Sequence, residues 1–199
     1  MRGTVLAIVA SLLLVATCSA DDVTDAMAQA QSAYASENYK EASTQLQTAL
    51  VGVNEKLIEL LIEKMPEPPA GWQAEEPEGI DASAAGMGFF AGLVVSRGYT
   101  SPSGSSIEFT IAANSPMLAT LRMFISNPML AQMGGQSGMK KVSVCGYDAI
   151  EETDDEAAIQ ILAGNATLIS VDGDTPDDME DVRTLAGVID CAGIVAIVE

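Results

Sequence analysis

The sequence predicts an α+β protein: an N-terminal antiparallel helical hairpin, then an antiparallel sheet with helices on one face, in the order β-β-α-β-β-β-α. Three observations carry this. Apolar residues between Val23 and Met65 recur at three- and four-residue steps, the period of a helix face. Beyond residue 80 the period shortens, and β-prone runs alternate with short turns. Ser-Pro, Asn-Pro and Thr-Pro pairs stand where helices would begin. The organisation that follows is a signal peptide over 1–20, a helical hairpin over 21–65, a Pro-rich linker over 66–80 and an α+β domain over 81–199.

The opening reads Met1-Arg2-Gly3, an apolar run from Thr4 to Ala16, then Cys18-Ser19-Ala20 and Asp21-Asp22. One basic residue, a short apolar core and a small-x-small exit form the pattern of a cleaved export signal. The run is too short to cross a bilayer, which takes about 20 residues. Val15-Ala16-Thr17-Cys18 also resembles a bacterial lipobox, with Thr17 where Gly or Ala usually stands. In that case Cys18 becomes the acylated first residue and anchors the chain by lipid. No later segment is long and apolar enough to span, so no transmembrane segment is expected after cleavage.

In the hairpin, Val23, Met27, Ala30, Ala33 and Tyr34 form one apolar stripe. Tyr39, Ala42, Leu46, Ala49, Val53, Leu57 and Leu60 form the second, widened by Leu50 and Leu61. Ser36-Glu37-Asn38 suits the turn between them. Pro66 ends the second helix, because it lacks the N–H that helix continuation needs. The segment Ala33-Tyr34…Asn38-Tyr39-Lys40-Glu41-Ala42…Leu46…Ala49-Leu50 resembles a tetratricopeptide repeat, present here in one copy. Solenoids need about three repeats to be stable, so the hairpin must lean on something else. It is read either as a plain packing element or as a docking surface for a protein partner.

Pro66-Glu67-Pro68-Pro69-Ala70-Gly71-Trp72 is a stiff, extended spacer whose only tryptophan is placed to anchor it to the core. Runs from Phe89 to Tyr99 and Ser106 to Ala112 read as a hairpin around Thr100–Gly104. Ser115-Pro116 starts a helix to about Ser126, and Asn127-Pro128 a short one to about Met133. Lys141 to Cys145, Tyr147 to Glu152, Ala157 to Leu162 and Thr167 to Val171 read as strands, with Gly164-Asn165 as the last turn. Thr175-Pro176-Asp177-Asp178 opens a final helix to about Asp190, its acids at the positive end of the helix dipole.

On the strength of the hairpin, the Pro68-Pro69-Ala70-Gly71-Trp72 junction and the Ser115-Pro116-Met117 and Asn127-Pro128-Met129 pair, the chain resembles an uncharacterised family of exported bacterial proteins. The resemblance implies a periplasmic or secreted location and no particular activity.

Acidic residues number 28 against 9 basic ones, for a formal net charge of −19 at pH 7. Such a charge repels nucleic acid and anionic lipid, so no nucleic-acid partner is expected. It favours basic partners, cations or a saline setting. The absence of histidine removes Ser-His and Cys-His nucleophile pairs and most zinc sites. No nucleophile motif replaces them, and no cofactor motif is present. The glycines Gly86, Gly88 and Gly92 lack the Lys-Ser/Thr of a phosphate cradle.

With 1–20 removed, Cys145 and Cys191 remain, an even pair and a candidate disulfide in an oxidising compartment. The alternative is two buried thiols acting as small apolar groups. Met117, Met123, Met129 and Met133, with Met139 nearby, are candidate soft ligands for Cu(I); the alternative is methionine as core filler. The acidic stretches 151–156 and 172–181 lack the spacing of a calcium hand and read as solvated turns and helix ends. The function these features point to is a non-enzymatic binding or assembly protein of the cell envelope. Copper binding through the methionines is the alternative, and a carboxylate-based enzyme comes after it.

Overall fold

The computed structural model describes residues 22–81, 92–114, 118–119, 122–123 and 138–199. The chain divides into two compact units, 1–49 and 50–199. The division falls inside a helix rather than at the proline-rich junction.

The first unit holds helix α1 (Asp22–Ala35) and the start of helix α2 (Tyr39–Ile62). At the end of α1, Glu37 adopts a left-handed φ of 59°. This lets the Asn38 N–H reach the Ala33 carbonyl at 2.9 Å and the Glu37 N–H the Tyr34 carbonyl at 3.1 Å. Two carbonyls that a helix end leaves orphaned are thereby satisfied. The Asn38 side chain then accepts the Glu41 N–H at 3.3 Å and caps α2.

The second unit is built on one eight-stranded antiparallel sheet. Its strands are β1 (Gln73–Ala74), β2 (Glu78–Asp81), β3 (Leu93–Thr100), β4 (Ser106–Ala113), β5 (Lys140–Val144), β6 (Tyr147–Glu152), β7 (Ala157–Ala163) and β8 (Thr167–Gly173). They lie in the order β1-β3-β4-β8-β7-β6-β5, with β2 also paired to β3. The β3–β4 hairpin and the β5-to-β8 meander are each local, and the β4–β8 ladder joins them. Helices α3 (Met179–Ala186) and α4 (Cys191–Val198) close the chain.

The α+β class is as the sequence predicts, with differences of detail. Within the stretch 66–80, expected to be linker, residues 73–80 contribute β1 and all of β2 but Asp81, because β3 offers them a free edge. Four strands follow the central segment, matching the four runs read from the sequence and one more than the order β-β-α-β-β-β-α counts. Cys145 is not the end of a strand. It and Gly146 form the two-residue β5–β6 turn, with φ of 49° and 85°, the positive values that a tight hairpin requires. The final helix, expected to reach about Asp190, ends at Ala186, and a further helix that was not expected, α4, starts after Asp190, whose side chain accepts the Gly193 N–H at 2.9 Å. The two helices expected over 115–133 lie mostly outside the described residues. Of that stretch, 118–119 and 122–123 are helical.

Strand alternation gives the sheet two unlike faces. One face presents Val95, Tyr99, Phe109, Ile111, Ile161 and Ile169 to a single core. Leu61 and Met65 after the end of α2, Val182 and Leu185 of α3, and Ile194 of α4 cover it. Each such side chain contributes about 1.5–3 kcal/mol on burial. Trp72 packs partly buried against this core, and the Tyr99 hydroxyl donates to the Pro66 carbonyl at 2.7 Å. The other face is not bare: Leu118 sits there with Leu162, Leu168 and Ala112.

One buried group is out of keeping with its surroundings. Thr167 is fully buried opposite Ala113 and Ala163, and its hydroxyl finds no partner among the described residues. A stranded hydroxyl costs more than the methyl that would replace it. Thr167→Val is therefore expected to stabilise by about 1 kcal/mol in urea unfolding; a loss of stability would mean that the hydroxyl is bonded.

Candidate functional site

The hairpin surface comes first. Among the described residues of the first unit the buried ones are all alanines: Ala26, Ala30 and Ala33 from α1 and Ala42 and Ala49 from α2. Small residues at this spacing let two helices approach closely. Larger neighbours are then turned out at the flanks of the seam. Met27 is 57% exposed, Tyr34 67%, Tyr39 60% and Leu46 57%. The sequence stripe had these four facing inward with the alanines; the structure divides them by size. Tyr34 and Tyr39 meet edge to face at 5.5 Å across the turn, so two of the four already form a patch.

A second feature lies in the larger unit, at the free edge of the sheet. A groove of about 390 Å³ runs beside β5 and is floored by Val142, Val144, Ile159, Ala186 and Ile189. Arg183 of α3 stands at one end. Its Nε donates to Glu151 Oε2 at 2.9 Å and its Nη2 to Glu151 Oε1 at 2.6 Å. The Glu151 side chain is 8% exposed and that of Arg183 is 54%. The two guanidinium hydrogen bonds hold the Glu151 carboxyl below the ordinary carboxylate range, against the opposing effect of burial, with help from the charges of Arg183 and Lys140. The same bonds raise Arg183 above its usual value.

At the other end of the groove Cys145 is joined to Cys191 as a disulfide, with Cα atoms 6.2 Å apart. The bond ties the β5–β6 turn to the first residue of α4. Beside it, the Gly193 N–H and Lys64 hold the Asp190 carboxyl below its ordinary range.

The face of the sheet opposite the core carries acids in register: Glu108 is opposite Asp172, which is opposite Ala158, which is opposite Glu152. Burial raises Asp172, and the charges of Glu156 and Glu108 add to it, although Ser170 donates a hydrogen bond at 2.7 Å. Burial and the nearby Glu156, Asp155 and Asp154 raise Glu152. A carboxyl raised on folding takes up its proton in the native state before the unfolded one. Its cost to stability is thus fully present at neutral pH and is relieved as pH falls through the folded value. Asp172→Asn is expected to be more stable than the parent at pH 7, and the advantage should shrink on mild acidification. Denaturant midpoints across pH 4 to 7 test this, and a midpoint lowered at pH 7 would refute it.

Among the described residues, no group of three or more carboxylates or thiols gathers around a point fit for a metal ion. Of the candidate copper ligands, Met123 is described and is 70% exposed. Met117, Met129 and Met133 lie outside the described residues, as do Cys18 and the whole stretch 1–20, expected to be a signal peptide. Among the described residues no helix is long and apolar enough to cross a membrane.

Sequence reasoning missed the Arg183–Glu151 pair, because the partners are far apart in the chain and each stands among other charges. It also missed the groove, whose lining comes together from β5, β6, β7 and α3. Comparison with protein-family models, curated proteins and solved structures gives no match. The functional reading therefore rests on this chain's own surfaces.

Proposed function

We propose that this chain is an exported, non-enzymatic binding protein of the cell envelope that docks a protein partner on its helical hairpin. The observation that carries the reading is the inversion of the hairpin, with alanines inside and Met27, Tyr34, Tyr39 and Leu46 outside. A monomer gains nothing from holding such side chains in water, whereas an interface core uses aromatic residues and methionine as anchors. Across residues 22–49 of the hairpin the charged residues are Asp22, Asp25, Glu37 and Glu41 against Lys40 alone. Its natural partner is a helix with an apolar face and basic flanks.

The Met1–Ala20 pattern supports export. The Cys145–Cys191 bond agrees with it, since structural disulfides persist in oxidising compartments. The lack of any histidine supports a role without nucleophilic or acid–base chemistry.

Site-directed photo-crosslinking in the source cell tests the docking surface. A benzophenone amino acid at Leu46 or Tyr34 is expected to give one discrete adduct. The same probe at Thr48, exposed on another side of α2, is expected to give none. Equal labelling at all three positions, or none at any, would dispose of the hairpin as a docking surface.

A further inference from the structure

We propose that the free edge of β5, with the groove beside it, binds an extended peptide of the pattern apolar–x–apolar–x–acidic, added antiparallel as one more strand of the sheet. This inference is independent of the hairpin and rests on three observations in the larger unit.

The first is the open edge. Among the described residues β5 pairs only with β6, and none of them meets the N–H and C=O groups on its outer side. The second is the floor. Val142 and Val144 lie on the same face of the strand and are half-buried, and the groove continues past them to Ala186 and Ile189. A strand laid along β5 would drop alternate side chains into this groove. The third is charge. Lys140 lies opposite Glu151 on that same face, and Arg183 is already fixed on Glu151. Lys140 and Arg183 thus face one carboxylate in a chain whose net charge is −19. On so acidic a molecule, this end of the groove is a local excess of positive charge.

Register follows from these three. In an antiparallel pair the residues directly opposite share a face. The peptide positions opposite Val144 and Val142 are therefore apolar, and the one opposite Lys140 is acidic, within reach of the cationic end. A second copy of this chain does not fit the pattern. Pairing β5 with its own copy about Val142 sets Val144 against Lys140 and supplies no acid. Edge lysines ordinarily discourage strand pairing. Here they would also select, because only a partner with an acid at the right position relieves the unpaired charge.

The test uses the full chain, isotope-labelled, and the blocked peptide acetyl-Gly-Val-Thr-Val-Thr-Glu-Gly-amide. Saturable amide shifts confined to 140–144 and 183–189 are expected. Changing the peptide Glu to Lys should weaken binding about tenfold or more, as should Lys140→Glu in the protein. The Lys peptide should bind Lys140→Glu better than the Glu peptide does, which guards against a variant that is merely damaged. N-methylating the peptide backbone one amide at a time should abolish binding at every second position only. Shifts elsewhere, equal binding of both peptides, or N-methyl effects without alternation would overturn the proposal. Edge shifts that appear with protein concentration alone would replace it with self-pairing.

Discussion

Replacing both Cys145 and Cys191 with Ser is expected to cost about 3–4 kcal/mol of stability. The bridge spans a sequence separation of 46 residues. Chain-entropy reasoning gives a cross-link of that length a contribution of about 4 kcal/mol, most of it through restriction of the unfolded chain. For a domain of this size the loss corresponds to a fall in melting temperature of about 10 °C. The damage should also be local: the bond joins the tip of the β5–β6 hairpin to the start of α4, so amide exchange should rise first in those two elements. Urea unfolding with and without reductant tests the claim. The parent in reductant should overlay the double variant in either condition. A parent midpoint indifferent to reductant would show that the bridge contributes nothing.

The second largest effect is expected at Arg183. Arg183→Met leaves the Glu151 carboxylate, 8% exposed, without its two guanidinium hydrogen bonds. Breaking a fully buried pair costs about 3–5 kcal/mol. The Arg183 side chain is half in water and Lys140 remains close, so about 2–3 kcal/mol is the better expectation. The pH dependence has a definite sign. Glu151 titrates lower in the folded protein than in the unfolded one, so the pair's contribution is complete above the unfolded value and is lost as pH falls through the folded value. The deficit of Arg183→Met should therefore be largest at neutral pH and should narrow in acid. The double variant Glu151→Gln, Arg183→Met buries no charge and should recover more than half of the loss. A double variant as unstable as the single one would mean that Arg183 acts through packing instead.

What the sequence made legible was mostly what is local. The Ser36-Glu37-Asn38 turn, the Thr175-Pro176 start and the Gly164-Asn165 turn each carry their signal within a few residues, because caps and turns are short-range chemistry. The strands β6, β7 and β8 were readable from their β-prone composition. By contrast, β1 and β2 span two and four residues and are strands only because β3 runs alongside. The expected final helix overran Gly187 to about Asp190, and α4 went unread, because its short apolar run 191–198 carries no helical period of polar and apolar residues. The hairpin stripe was located correctly but not its inward members, since periodicity ranks a face by hydrophobicity while close packing of two helices ranks it by size. Arg183 and Glu151 meet only through the sheet order, which no local window contains.

The sheet order also bears on how quickly the molecule can assemble. The β3–β4 hairpin and the meander from β5 to β8 can each zip up from a tight turn, at the cost of closing only short loops. The ladder in which Ala113 meets Thr167 and Ile107 meets Gly173 cannot begin until those two pieces find one another across the whole intervening chain. That encounter is expected to be the slow step of folding, with both halves exposing until then the edges that β4 and β8 later hide. A chain caught at that stage is at its most vulnerable to clumping, so a lapse in its handling would be felt there and not in the finished fold.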